Sequence, residues 1–378
     1  MGKKNRQIRF RILHRLLLIV LALGVTVSVV WYISPRLNQM EAPPEPAAPR
    51  ERTFVWGDIV DTSKEAYSYE EMEEDLALLA ERYPNLLSVK SAGKSLDGRE
   101  IYYADFGTWN ARYHVMVNAG IHGREYLTPL FVMKQLEYYL ANYYTENEEG
   151  VAFADVMGTW SFRIVPMINP DGIMLSQKGL SAIRSEELRQ GIEEIYRSDC
   201  ELYESYRKYR SIDEYLPYWK ANAAGVDLNR NFGIDGWKQV KTGINLPSAQ
   251  KYKGSSENSE PETMAMVELT KQMKNLVCSV SVHSQGELIY WDCGQTGEVR
   301  ASTGKLAELA QSLNGYRLYD DFTAPDATYN DWCVLQLGVP SVNIETGTGK
   351  CPLPISQLDS IWNKNFLLWF EIAKQMKP

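Results

Sequence analysis

His122-Gly123-Arg124-Glu125 sets a histidine and a glutamate three residues apart, and His283 stands far downstream at the end of an apolar run. Two histidines and a glutamate are one known ligand set for Zn²⁺ in hydrolytic sites, where three protein donors leave the fourth position open. A spacing of three lets one turn of backbone aim His122 and Glu125 at a single ion. The chain has only four histidines, and neither His14 nor His114 falls in a comparable pattern. One zinc per chain is expected, on His122, Glu125 and His283. Hydrolysis at such an ion further requires an activated water, a base, an oxyanion stabiliser and a means of placing the scissile bond.

The elements that must position these residues repeat one layout. Val115–Ala119 runs toward His122, Phe162–Ile168 toward Asn169, Val277–Val282 toward His283, and Val339–Ile344 toward Glu345. Each run is short, rich in β-branched residues and stopped by a polar residue or turn signal, as strands are. Near-continuous apolar strands separated by helical stretches imply an α/β fold with a mixed, largely parallel central sheet and helices on both faces. In such sheets the ligand crevice lies outside the carboxyl ends of the strands, so the four polar ends are predicted to share one edge.

HGRE at 122–125, NPDG at 169–172, GVDLNRNF at 225–232, SVHS at 281–284 and NIETG at 343–347 occur in an order that resembles the zinc carboxypeptidase (funnelin) family. With the Gly93–Glu100 stretch, the resemblance covers roughly residues 66–375. The Trp219-Lys220-Ala221-Asn222 segment is most similar to the bacterial branch that cleaves γ-D-glutamyl-diaminopimelate bonds. The resemblance implies that Glu345 is the general base and that Asn229 and Arg230 grip a free substrate carboxylate. A guanidinium fork suits that task, since it meets a carboxylate with two parallel hydrogen bonds. Lys220 stands near the place of the family's carbonyl-polarising arginine, with Arg184 as a rival. Thr323 falls where an ungapped count puts the family's mobile tyrosine, leaving Tyr319 and Tyr329 as candidates. Asn330 occupies the specificity position, and a polar amide there suits a polar side chain such as that of diaminopimelate. A zinc deacylase of the aspartoacylase type, or an inactive binding ectodomain on the same scaffold, are the competing readings. The NPDG and GVDLNRNF segments and the retained Glu345 favour the peptidase.

The chain has 378 residues, 44% of them hydrophobic, and a net charge of −8. The first 15 residues nevertheless carry six cations and no acid. An acidic remainder argues against nucleic acid as a partner, because phosphate neutralisation needs clustered Lys and Arg. Leu16–Ile33 is an uncharged run long enough to span a bilayer, ending in Trp31 and Tyr32. The expected organisation is a cytoplasmic basic segment (1–15), a transmembrane signal anchor (16–33), a Pro-rich linker (34–53) and an extracellular catalytic domain (54–378). This puts the enzyme on a bacterial cell membrane, with peptides or peptidoglycan stem peptides as substrate. The five cysteines leave at least one thiol unpaired and room for a disulfide. Residues 176–222 depart most from the family and are expected to be either a solvated helical insertion or a wall over the site.

Overall fold

The structure is a computed structural model describing residues 53–108, 110–147 and 149–377. The expected basic segment (1–15), anchor (16–33) and all of the linker but Thr53 lie outside these residues. Among them no helix is long and apolar enough to cross a membrane.

Eight strands form one sheet: β1 (Leu87–Lys94), β2 (Glu100–Gly107), β3 (Tyr113–Ala119), β4 (Trp160–Val165), β5 (Leu276–His283), β6 (Leu288–Tyr290), β7 (Arg317–Tyr319) and β8 (Ser341–Glu345). Their order is β1-β2-β4-β3-β5-β8-β6-β7. The centre, β4-β3-β5-β8, is parallel, while β1-β2, β2-β4 and β6-β8 are antiparallel. The mixed, largely parallel sheet predicted from the apolar runs is what forms.

Both faces of the centre are buried, and the two-residue period of a strand sorts side chains between them. Val115, Val117 and Ala119 enter one core with residues of helices Leu127–Ala141, Gly297–Asn314 and Leu368–Gln375. Met116, between them, enters the opposite core with Met266 of helix Pro261–Lys271 and Trp332 of helix Tyr329–Leu337. β4 stops at Val165, three residues short of the expected end, because Ile168 and Asn169 donate their amides to Ala119 and Gly120 in an irregular turn.

Residues 176–222 are not a solvated appendage. Helix Glu186–Leu202 packs Ile192 and Ile195 into a third core with Tyr206, Tyr215 and Trp219. The buried Asp199 carboxylate ties this unit down, accepting from Tyr215 (2.5 Å), Ser248 (2.8 Å) and the Ala249 amide (3.1 Å). No cysteine is disulfide-bonded, and four of the five are buried. In strand and helix interiors a thiol packs as a small hydrophobe.

Candidate functional site

His122 and Glu125 sit on the loop leaving β3, and His283 closes β5. All three are buried. His122 Nδ1 lies 2.9 Å from Glu125 Oε1. His283 Nδ1 lies 3.2 Å from both His122 Nδ1 and Glu125 Oε2. Donors about 2.0–2.2 Å from a tetrahedral ion stand about 3.3–3.6 Å apart, so the triangle fits zinc with slight expansion. The Ser284 amide donates to Glu125 Oε2 at 3.1 Å and orients it. Burial works to raise the Glu125 pKa, but the two imidazoles hold the carboxyl well below its ordinary value.

Sequence reasoning missed the residue behind His122. Asp227 Oδ1 lies 3.4 Å from His122 Nε2, and neither atom has another partner. Asp227 Oδ2 accepts the Lys251 amide at 2.9 Å. A carboxylate on the outer nitrogen keeps the proton there and leaves the Nδ1 lone pair for a metal. Burial pushes the Asp227 pKa up, yet His122, Lys220 and Arg230 together hold it well below the usual carboxylate range. Its signal was inside GVDLNRNF, two residues before Asn229.

Glu345 ends β8 directly beside His283, its partner in the parallel register. Burial pushes its carboxyl up to about 7; His283, Lys220 and Arg124 oppose the rise and Glu125 adds to it. Such a group can both take and return a proton near neutral pH.

Three loops cross closely to build this edge. A Cβ on Gly123 would lie 2.4 Å from the Gly172 carbonyl oxygen and 2.9 Å from that of Trp219. The Gly123 amide donates to the Lys220 carbonyl at 3.1 Å. Asn169, expected at the edge beside the metal ligands, is instead a buried clamp. Its amide donates to the carbonyls of Ile121 and Ala221 and its oxygen accepts the Gly172 amide. Lys220 and Ala221 donate their amides to the Ala249 carbonyl, so the Asp199 anchor on the Ala249 amide reaches the site through one residue.

Zinc carboxypeptidase is the family whose profile matches this chain, over residues 72–368. The chain belongs to the zinc carboxypeptidase family. It is 27% identical to the γ-D-glutamyl-L-diamino acid endopeptidase 1 of Lysinibacillus sphaericus, over 79% of this chain and 70% of that protein. It is 28% identical to the uncharacterized protein YqgT of Bacillus subtilis, over 80% of this chain and 76% of the other. The crystal structure of the carboxypeptidase A from Helicoverpa armigera shares the fold, with a TM-score of 0.59 at 21% identity, covering 84% of this chain and 74% of that one.

In this zinc carboxypeptidase the cleft has two lobes meeting at Glu345, Lys220 and Tyr290. The first, about 360 Å³, is lined by Asn229, Arg230, Tyr319 and Asn330. Arg230 is held by the Asn229 carbonyl (2.6 Å) and Asp326 (3.4 Å). Asn229 Oδ1 accepts the Tyr329 amide at 3.0 Å. Asn330 is buried, its NH₂ on Cys293 Sγ at 3.4 Å and its oxygen without a partner.

Two expected site residues are not brought to the cleft. Tyr329 is buried between Phe232 and Trp332 with its hydroxyl on Thr270 Oγ1 at 2.8 Å, so it serves the core and not substrate. Arg184 is exposed and lines neither lobe; its amide caps the Asp97 carboxylate. Tyr290, which the sequence reading passed over, faces both lobes and packs against Tyr319 with ring centroids 4.6 Å apart and the rings tilted by 43°.

Proposed function

We propose that this zinc carboxypeptidase hydrolyses the bond between γ-D-glutamate and diaminopimelate in peptidoglycan stem peptides. The observation that carries the reading is the first lobe, which joins Glu345 and Lys220 to the Arg230 guanidinium and the partnerless buried amide oxygen of Asn330. A leaving group with a carboxylate and a polar, ammonium-bearing side chain satisfies both, whereas an apolar side chain leaves the Asn330 oxygen unpaired. The named activity of the Lysinibacillus sphaericus relative supports the same substrate class.

His122, Glu125 and His283 would hold one zinc. When bound, zinc supplies a Lewis acid that acidifies water and polarises a carbonyl. Glu345 takes the proton from the attacking water as the carbon–oxygen bond forms. It returns that proton to the departing amine as the carbon–nitrogen bond breaks. Lys220, which lines both lobes beside Glu345, is assigned to stabilise the charge that the carbonyl oxygen gains. Arg230 and Asn229 hold the carboxylate of the leaving residue and set the scissile bond in register.

Purified muropeptides and ordinary peptides, digested side by side with products identified by mass, test this. Release of diaminopimelyl products is the expected result; cleavage of C-terminal Phe or Leu peptides with muropeptides untouched would overturn it. The basic segment and apolar run before residue 34 support a bacterial membrane anchor with the catalytic domain outside. Recovery of the full chain in the soluble fraction would count against that.

A further inference from the structure

We propose that the second lobe of the cleft is an anion subsite, selecting an acyl donor that carries a free carboxylate a few bonds from the scissile carbonyl. The lobe measures about 370 Å³ and leads away from Glu345 and Lys220 on the side lacking Arg230. Four cations line it: Arg124, Lys208, Lys220 and Lys350. The carboxylates in its lining are Glu125 and Glu345, one in the metal triangle and one the proton carrier.

Among the described residues no carboxylate makes an ion pair with any of the four cations. Lys208 lies 4.9 Å from the Tyr209 ring centroid and Lys350 lies 4.5 Å from that of Tyr218. Ring contacts of this kind hold an ammonium without neutralising it. Arg124 Nε is buried with no hydrogen-bond partner. In a chain of net charge −8, these four cations outnumber the two carboxylates of the lining and give the concavity an excess of positive charge. The first lobe is richer in acids: beside Lys220 and Arg230 it is lined by Asp292, Asp321, Asp326 and Asp331, of which Asp326 faces Arg230 and Asp292 faces Arg300. The cleft is therefore polarised along its length, and a substrate with its anion on the acyl side is oriented by it.

Lys208 comes from residues 176–222, so this divergent stretch contributes charge to the subsite as well as a wall. A γ-linked glutamate leaves its α-carboxylate free a few bonds from the carbonyl that is attacked; an α-linked neutral residue does not. This inference rests on the proposed function for its natural substrate but not for its chemistry.

The test uses zinc-loaded wild-type protein and the Lys208→Met/Lys350→Met double variant, both changes at exposed positions. Four substrates pair γ-D-glutamyl or its α-carboxamide (D-isoglutaminyl) with diaminopimelate or leucine as leaving residue. The acid should exceed the amide in kcat/KM by at least about tenfold in the wild type, chiefly through KM. In the double variant the acid-to-amide ratio should fall toward one. A ratio near one in the wild type, or one unchanged in the variant, overturns the inference. A preference for the acid with no preference for diaminopimelate leaves the subsite standing and removes the peptidoglycan reading; the reverse pattern does the opposite. Calorimetric binding of the same four compounds to the Glu345→Gln protein gives the acid-to-amide ratio without turnover and is judged by the same criteria.

Discussion

Replacing Asp227 with asparagine keeps the side chain's shape and removes its charge. In the native site Oδ1 faces His122 Nε2 at 3.4 Å while Oδ2 accepts the Lys251 amide at 2.9 Å. Asparagine offers only one oxygen for these two positions. Turned toward Lys251, it presents its NH₂ to His122 Nε2 and drives the ring proton to Nδ1, the nitrogen that faces the metal triangle. Turned toward His122, it leaves the Lys251 N–H against an NH₂ group, at a cost of about 1–3 kcal/mol. Both arrangements lose the negative charge that raises the basicity of the ligand. Loss of such a partner weakens metal binding by about 10–100-fold, or about 1.4–2.7 kcal/mol. Chelator competition on zinc-reloaded Asp227→Asn protein measures this, with pH held constant because ligand deprotonation is coupled to binding. A zinc Kd within about twofold of wild type would refute the second-carboxylate argument.

Glu345→Gln should retain one zinc and lose about 10²–10⁴-fold in kcat, since the amide cannot carry the proton; near-normal turnover would remove Glu345 from the mechanism. Arg230→Ala should raise KM about tenfold or more for substrates with a free terminal carboxylate and much less for carboxamide-blocked ones. Equal losses on both would make Arg230 structural. Gly123→Ala should destabilise the fold by about 1–3 kcal/mol, because the atoms 2.4–2.9 Å from the new Cβ are backbone and cannot rotate away; denaturant unfolding reads the change, and wild-type stability would contradict the loop crossing. Burial and the nearby Asp171 raise the Glu262 pKa from 4.5 to about 8. Between these values the folded chain holds a proton the unfolded chain has released, so this group's contribution to stability falls by about 1.4 kcal/mol per pH unit as pH rises. The fall is complete above about 8. Glu262→Gln should flatten it, and an identical pH slope in the variant would show that Glu262 ionises normally in the fold.

The zinc-ligand candidates were legible because their constraints are local. The three-residue spacing of His122 and Glu125 brings their ligand atoms within 2.9 Å. His283 and Glu345 end strands whose apolar runs are plain in the sequence, and parallel pairing then sets them side by side. The remaining residues were harder to read from spacing along the chain. Tyr319 and Tyr329 are ten positions apart and both near the expected place, yet one lines the cleft and the other fills the core. Lys220 and Arg184 were rivals until the clamp through Ala249 and Gly123 put Lys220 at the cleft and the Asp97 contact drew Arg184 elsewhere.

The sequence by itself determines which strands are buried on both faces and, for β5 and β8, that His283 and Glu345 end them, because apolar periodicity is a local property of the chain; the end of β4 was set by the turn that holds Asn169. That is sufficient for the parallel centre of the sheet, β4-β3-β5-β8, and for the candidate metal triad. Only the tertiary structure decides what stands behind and around that triad: Asp227 on His122, Tyr290 between the lobes, and Lys208 and Lys350 across from the aspartates. These contacts join loops distant in sequence. Their geometry depends on backbone crossings such as Gly123 on Gly172, and on a third core that assembles only when residues 175–249 fold together.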